Sequence, residues 1–332
     1  MNTNTSTSIP VTTSGNRFAT IQTLLTQYTF IIIFIVGNFS NLANILVFLQ
    51  KTLRSNACSW YFALISLGHL LFLYFGLFTR LMSTWLGFDL TRTSIIYCQI
   101  RIYFLTLSLL MARYFLCLIS IDRWMITSRQ NAIRQLSSLK IARWFMIVGV
   151  GFCMIFSSHF PIWYRIEGNR GCVGASNTFY PLFFMIYNLV ITIGPFFVMI
   201  LFSALVLKNL REGRHRQVAS TFNTQATITS MNPARQSRRR DVQFIKLSLM
   251  QTLIYIVCNT FYAYNATYAF ITQSIVKSAE RAALDSFLST IGLIISYSYT
   301  AVSHSWIDYI QEDEFASLDY LLFVHGSVKY IP

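Results

Sequence analysis

The chain has 332 residues, of which 54% are hydrophobic and only 11% charged. A soluble domain carries about 25% charged residues, so the balance excludes a soluble fold and implies an integral membrane protein. The formal charge of +14 would suit nucleic acid, but the basic residues lie between long apolar segments. There they meet anionic membrane lipids, and no nucleic-acid partner is expected.

Met1 to Thr26 is rich in Ser, Thr and Asn, and Arg17 is its sole basic residue. No basic run leads directly into an apolar run, so no cleavable signal peptide is expected and the first apolar segment serves as the insertion signal. Asn4-Thr5-Ser6 is a glycosylation sequon, which suits an outward-facing tail.

Seven apolar spans come next: Tyr28–Gln50, Ser59–Phe78, Ile95–Met125, Ile141–Trp163, Tyr180–Leu207, Val242–Ile271 and Leu284–Ile307. Each is near the roughly 20 residues that a membrane-crossing helix needs. The last is interrupted by Ser, Thr, Tyr and His. Placing the amino terminus outside puts seventeen Lys and Arg on the inner side and eight on the outer, with Arg113 inside a span. That asymmetry favours amino terminus out and carboxyl terminus in. Glu212 to Arg240, polar and closing on Arg238-Arg239-Arg240, is expected to be a flexible cytosolic loop. Gln311–Phe323 alternates acidic and apolar residues and suits a short helix on the inner membrane surface. The predicted organisation is an extracellular tail (1–27), an all-α seven-helix membrane bundle (28–310) and a cytosolic carboxyl-terminal segment (311–332). No internal repeat is visible, which counts against a transporter built from inverted halves.

The third span carries the most telling pattern. It opens at Cys98, stays apolar for more than twenty residues and closes on Asp122-Arg123-Trp124. An arginine beside a carboxylate at the membrane edge is a paired charge, though a snorkelling helix-end arginine would look the same. Together with the seven spans, this stretch resembles the third helix of rhodopsin-like (class A) G-protein-coupled receptors, where Asp-Arg-Tyr is usual and the Trp form is tolerated. The resemblance covers about Tyr28 to Phe315. The stretches Lys51 to Phe62 and Cys98 to Tyr103 further resemble invertebrate FMRFamide-like and related orphan peptide receptors.

The resemblance implies several site residues. Cys98 and Cys172 occupy the places of the family's outer disulfide, on a side that is oxidising. Cys58, Cys117, Cys153 and Cys258 are expected to be ordinary buried residues. Asn41, in Ser40-Asn41-Leu42, matches the first-helix asparagine, whose amide can bond neighbouring helices. Pro195 matches the fifth-helix proline, which frees a carbonyl and allows a bend.

Other positions depart from the pattern. His69 stands where the family has the sodium-binding aspartate, so no sodium site is expected. The sixth-span Cys-Trp-x-Pro becomes Cys258-Asn259-Thr260-Phe261. Counting back twenty residues from Phe261 lands on Asp241, an acid positioned to latch Arg123 in the resting state. The seventh-span Asn-Pro-x-x-Tyr is reduced to Ser305-Trp306-Ile307-Asp308-Tyr309. Leu105 replaces the amine-receptor aspartate and Tyr299 the opsin lysine, which argues against an amine receptor or a photoreceptor.

No nucleophile–base or paired-carboxylate arrangement stands out, so no enzyme and no cofactor are expected. The reading is a receptor for an extracellular ligand, a neuropeptide, signalling through a heterotrimeric G protein. Arg123 is released to the partner as the sixth span swings outward. The alternatives are a seven-span transporter or channel, and a divergent chemoreceptor-like scaffold with weak coupling.

Overall fold

The structure, a computed structural model, describes residues 13–51, 53–87, 89–168, 171–175, 178–221, 233–272 and 275–302. Within these, side chains are described at all but 13–19, 213–221 and 233–241. The first helix, α1 (Thr13–Phe48), starts upstream of the apolar run that announces it. Asn56 then turns the chain into α2 (Ala57–Phe72), its side chain accepting a hydrogen bond from the Cys58 amide. This satisfies one of the free N–H groups of a helix start.

The second span does not run as one regular helix. A π-helical turn, Leu73–Phe78, joins α2 to α3 (Thr79–Leu86), which ends at Gly87 in the left-handed conformation, φ 64°. Such turns are rare and occur mostly as single turns inside α-helices. Here Gly76 lies in the turn, and a Cβ at that point would come within 2.7 Å of the Tyr297 hydroxyl. A one-turn helix, α4 (Leu90–Thr93), capped by Asp89, leads into the long α5 (Ile95–Thr127), capped by Ser94.

After α5 come α6 (Asn131–Leu136), α7 (Leu139–Ser157) and α8 (His159–Trp163). The chain then forms an antiparallel hairpin, β1 (Tyr164–Glu167) with β2 (Gly171–Gly174), pairing Tyr164 with Gly174 and Ile166 with Cys172. The hairpin is an addition to the all-helical expectation. Gly168 and Gly171 adopt positive φ at its turn, the conformation glycine reaches without a Cβ penalty. Three long helices complete the chain: α9 (Tyr180–Thr221), α10 (Pro233–Ile271) and α11 (Ala279–Val302).

The result is an all-α seven-helix membrane bundle with α5 at its centre, packed against α2, α7, α9 and α10. The helix α1 joins α2 to α11, and α11 closes onto α10. Among the described residues, six stretches are long and apolar enough to cross a membrane: Thr20–Phe48, Ala57–Leu86, Ile95–Thr127, Leu139–Trp163, Tyr180–Glu212 and Val242–Ile271. The seventh, α11, carries Glu280, Arg281 and Asp285 in its first two turns and several Ser and Thr residues beyond them, of which Thr290, Ser296 and Thr300 are buried rather than turned to lipid. Conversely, large apolar side chains such as Phe39, Ile155 and Phe197 are exposed on the outside of the bundle, the surface that lipid tails cover.

One expectation requires correction. The polar stretch Glu212 to Arg240 is not a loop throughout, because α9 continues to Thr221 and α10 begins at Pro233. Arg, Glu, Lys and Gln propagate a helix well in water, so the helices outlast the apolar spans; residues 222–232 lie outside the described residues. The expected surface helix at 311–323 also lies outside them.

Candidate functional site

At the end of α5 that carries Arg123, polar groups are gathered under the bundle. Arg123 is 1% exposed and Asp122 2% exposed. Their side chains are paired at 2.5 Å, Arg123 Nη2 to Asp122 Oδ2. The Ser137 hydroxyl, on the segment after α6, donates to the other Asp122 oxygen at 2.5 Å. Arg123 Nη2 also reaches Asn56 Oδ1 at 3.3 Å, so the residue that caps α2 holds the arginine as well. The Phe244 ring of α10 lies 5.5 Å from the guanidinium carbon, a cation–π contact. A buried ion pair is costly unless its remaining valences are filled, and here residues from α2, the α6–α7 connection and α10 help to fill them.

Around this core, Trp124 meets Phe202 of α9 edge to face, with centroids 5.3 Å apart. Asn209 of α9 donates to the Thr127 hydroxyl at 3.3 Å, and Arg129 pairs with Glu212 at the half-exposed rim. The Trp124–Phe202 and Arg123–Phe244 contacts, the Asn209–Thr127 bond and the Arg129–Glu212 pair thus join α9 and α10 to this end of α5.

The middle of the bundle is tied by amides and a guanidinium. Asn41 Nδ2 donates to its own helix at the Gly37 carbonyl (2.7 Å) and across to Thr300 of α11 (3.0 Å). The Ser40 hydroxyl adds a bond to the Ala301 carbonyl at 2.7 Å. His69 is buried, its ring edge-on to Tyr299 at 5.7 Å. Pro195 lies inside α9 and has no N–H for the Ile191 carbonyl, four residues back. Arg113 Nη1 approaches that carbonyl at 3.4 Å, so a charge on α5 takes up the acceptor that the proline leaves over.

At the opposite end, Cys98 and Cys172 form a disulfide with Cα atoms 5.7 Å apart. It ties β2 to the start of α5. Beneath the hairpin, Trp163 stacks on Tyr180 at 5.6 Å and 13°, and Phe160 meets Tyr164 and Phe184. Burial in this layer pushes the Tyr164 phenol well above its ordinary pKa, so it stays neutral. Toward the same end of α5 is a cavity of about 260 Å³ lined by Thr79, Arg80, Asp89, Thr91 and Arg101, among others. Arg101 Nε donates to the Thr79 hydroxyl at 2.8 Å, while Asp89 is held by Thr91 and Arg92.

Several of the sequence-predicted residues come together here. Asp122, Arg123 and Trp124 share one end of α5, Cys98 and Cys172 the other, and Asn41, His69 and Pro195 lie between them. Asp241 is on α10, one turn before Phe244 and so on the same helix face, but its side chain lies outside the described residues, as do Tyr309 and Asn4. Sequence reasoning missed Asn56, Ser137 and Phe244 as neighbours of the Asp122–Arg123 pair. Asn56 did carry a signal, an asparagine just before an apolar run; the other two carried none. Of the four remaining cysteines, Cys58 and Cys153 are buried and Cys117 and Cys258 partly so. Among the described residues no group of His, Cys, Asp and Glu could hold a metal ion.

The seven-helix bundle with a disulfide at one end and a buried acid–arginine pair at the other defines a multi-pass membrane receptor. The model of the seven-transmembrane receptor (rhodopsin) family matches residues 40–302, and the chain belongs to that family. Its members are not enzymes, and membership makes this a receptor for an extracellular ligand that signals through G proteins, not a transporter or channel. No curated protein matches the chain.

Proposed function

We propose that the receptor sits in the plasma membrane with its amino terminus outside, binds a peptide at the disulfide end and activates a heterotrimeric G protein at the Arg123 end. The observation that carries this reading is the separation of two differently built ends on one helix. Arg101, lining the cavity, and Arg123 are 22 positions apart on α5, about 33 Å at 1.5 Å per residue. The cavity carries charged and hydroxyl groups that could orient a polar ligand. The Arg123 end is closed by side chains from α2, α9 and α10 that can separate.

The excess of Lys and Arg on the Arg123 side supports the orientation. The neuropeptide class rests on the stretches 51–62 and 98–103, which resemble FMRFamide-like and orphan peptide receptors. In this mechanism the ligand favours an arrangement in which α10 moves away from α5 and Arg123 leaves Asp122 for the G protein. A library of amidated and free-acid neuropeptides applied to cells reporting calcium and cAMP tests the proposal. A saturable response to a peptide is expected, and responses only to amines, lipids or odorants would overturn the peptide reading.

A further inference from the structure

Arg101 stands one turn past Cys98 on α5, at the disulfide end of the bundle. It is partly buried, and its Nε donates to the Thr79 hydroxyl at 2.8 Å. That hydroxyl in turn shares its proton between the Phe75 and Gly76 carbonyls of the second span, each at 3.0 Å. One edge of the guanidinium is therefore fixed by a residue that is itself fixed. An arginine carries five N–H donors, and here the two Nη groups are left over. Among the described residues they form no hydrogen bond and no ion pair.

Arg101 and Arg80 line one cavity, of about 260 Å³. Arg80 is exposed on α3, and no carboxylate among the described residues pairs with it. The one acid among the described lining residues is Asp89, and both of its oxygens are engaged. The first caps α4, accepting from the Thr91 amide at 3.0 Å and the Thr91 hydroxyl at 2.6 Å. The second faces Arg92 Nε at 3.5 Å. The cavity therefore holds two cations and no free acid. The rest of its wall is Thr and Ser hydroxyls and one buried ring, Phe30.

We propose that this cavity takes a carboxylate of the peptide ligand, held by Arg101 and Arg80. The inference rests on the peptide reading above and narrows it to peptides that bring an acid to this end of the bundle. With Nε on Thr79, the two Nη groups of Arg101 present a flat pair of donors that matches the two oxygens of a carboxylate. Arg80 adds a second charge at the rim. Sites that enclose a whole small molecule run to about 300–1,000 Å³. This one is smaller, so it admits the end of a peptide or one side chain while the remainder lies outside, and Phe30 gives the entering residue an apolar surface. A terminal amide would bring N–H donors to two cations that only donate, so the site discriminates against it.

The test uses the full chain in lipid nanodiscs and four pools of random hexapeptides, made with and without Asp and Glu and each as free acids and as amides. Retained peptides are counted by mass spectrometry against those held by empty nanodiscs. Amides lacking Asp and Glu should be retained roughly tenfold less than the acid-bearing pools. Retention of free acids lacking Asp and Glu makes the terminus the source of the carboxylate; retention of amides containing them makes it a side chain. Arg101→Gln and Arg80→Gln should each weaken the preference for acids. Should Arg101→Gln fail to fold, the exposed Arg80 and the comparison of pools on the unaltered receptor still decide. Equal retention of acids and neutral amides overturns the carboxylate and leaves the peptide reading standing. Pools held no better than by empty nanodiscs overturn the peptide reading and the carboxylate with it. A preference for acids that survives both substitutions puts the carboxylate elsewhere and also overturns the proposal.

Discussion

Arg123 is buried beside an acid of its own helix, and further neighbours reach it from other elements. Asn56 reaches it from the start of α2 and Phe244 from α10. In the proposed mechanism a charge held this way is released when α10 leaves. Arg123→Gln keeps a donor for Asp122, which Ser137 also serves, so surface expression should persist while ligand-stimulated nucleotide exchange is lost. Full exchange in that variant would show that the pair is only structural.

Asp241 belongs to the same proposal. Its position one turn before Phe244 makes it a candidate latch for Arg123 in the resting state. A partly hydrated pair of this kind is worth about 1 kcal/mol, which shifts a two-state population roughly fivefold. Asp241→Asn should therefore raise ligand-free signalling several-fold at matched surface expression, as read by basal cAMP or calcium; an unchanged basal level would mean that the acid only neutralises Arg238, Arg239 and Arg240.

At the scale of elements, the second span shows what an apolar run conceals. Ser59 to Phe78 reads as one helix, but the π-turn at Leu73–Phe78 rotates α3 relative to α2. Hydropathy carries no sign of this, because a π-turn keeps the same composition; Tyr297, packed between Phe30 at 5.8 Å and Phe72 at 4.8 Å, lies against the turn. Its ring is wedged and its hydroxyl points at Gly76. Gly76→Ala should cost about 1–3 kcal/mol through overpacking, seen as a lower melting temperature of the purified receptor, whereas Gly151→Ala, where a Cβ meets nothing within 4 Å, should be silent. Equal melting temperatures for the two variants would show that Tyr297 yields without cost.

At the scale of the whole molecule, the disulfide joins the hairpin to the central helix and so shapes the mouth of the bundle. Cys98→Ala should reduce surface expression and ligand binding together; unchanged values for both would mean that the aromatic layer of Trp163, Tyr164 and Tyr180 holds the hairpin unaided. Charge across the bundle points the same way in a second test. His69 stands in the middle and Arg113 adds a buried cation, so a desolvated sodium ion would meet poor compensation. Sodium should leave agonist affinity unchanged relative to an organic cation at equal ionic strength, and a sodium-specific fall in affinity would contradict this.

The spans, their number and the two ends of α5 were legible in the sequence, because lipid imposes a long apolar run on every crossing segment and Lys and Arg concentrate outside them. Cys98, Cys172 and Asp122-Arg123-Trp124 were legible because they are local patterns at fixed places in such runs. Their surroundings were not. Ser137 meets Asp122, Phe244 meets Arg123 and Arg113 meets the Ile191 carbonyl across 15, 121 and 78 positions of chain respectively. Local periodicity reports which face of a helix is apolar, but the partner on that face depends on how neighbouring helices are rotated and staggered. That is settled by packing in three dimensions, where Gly76 admits Tyr297 and Pro195 leaves an acceptor for Arg113.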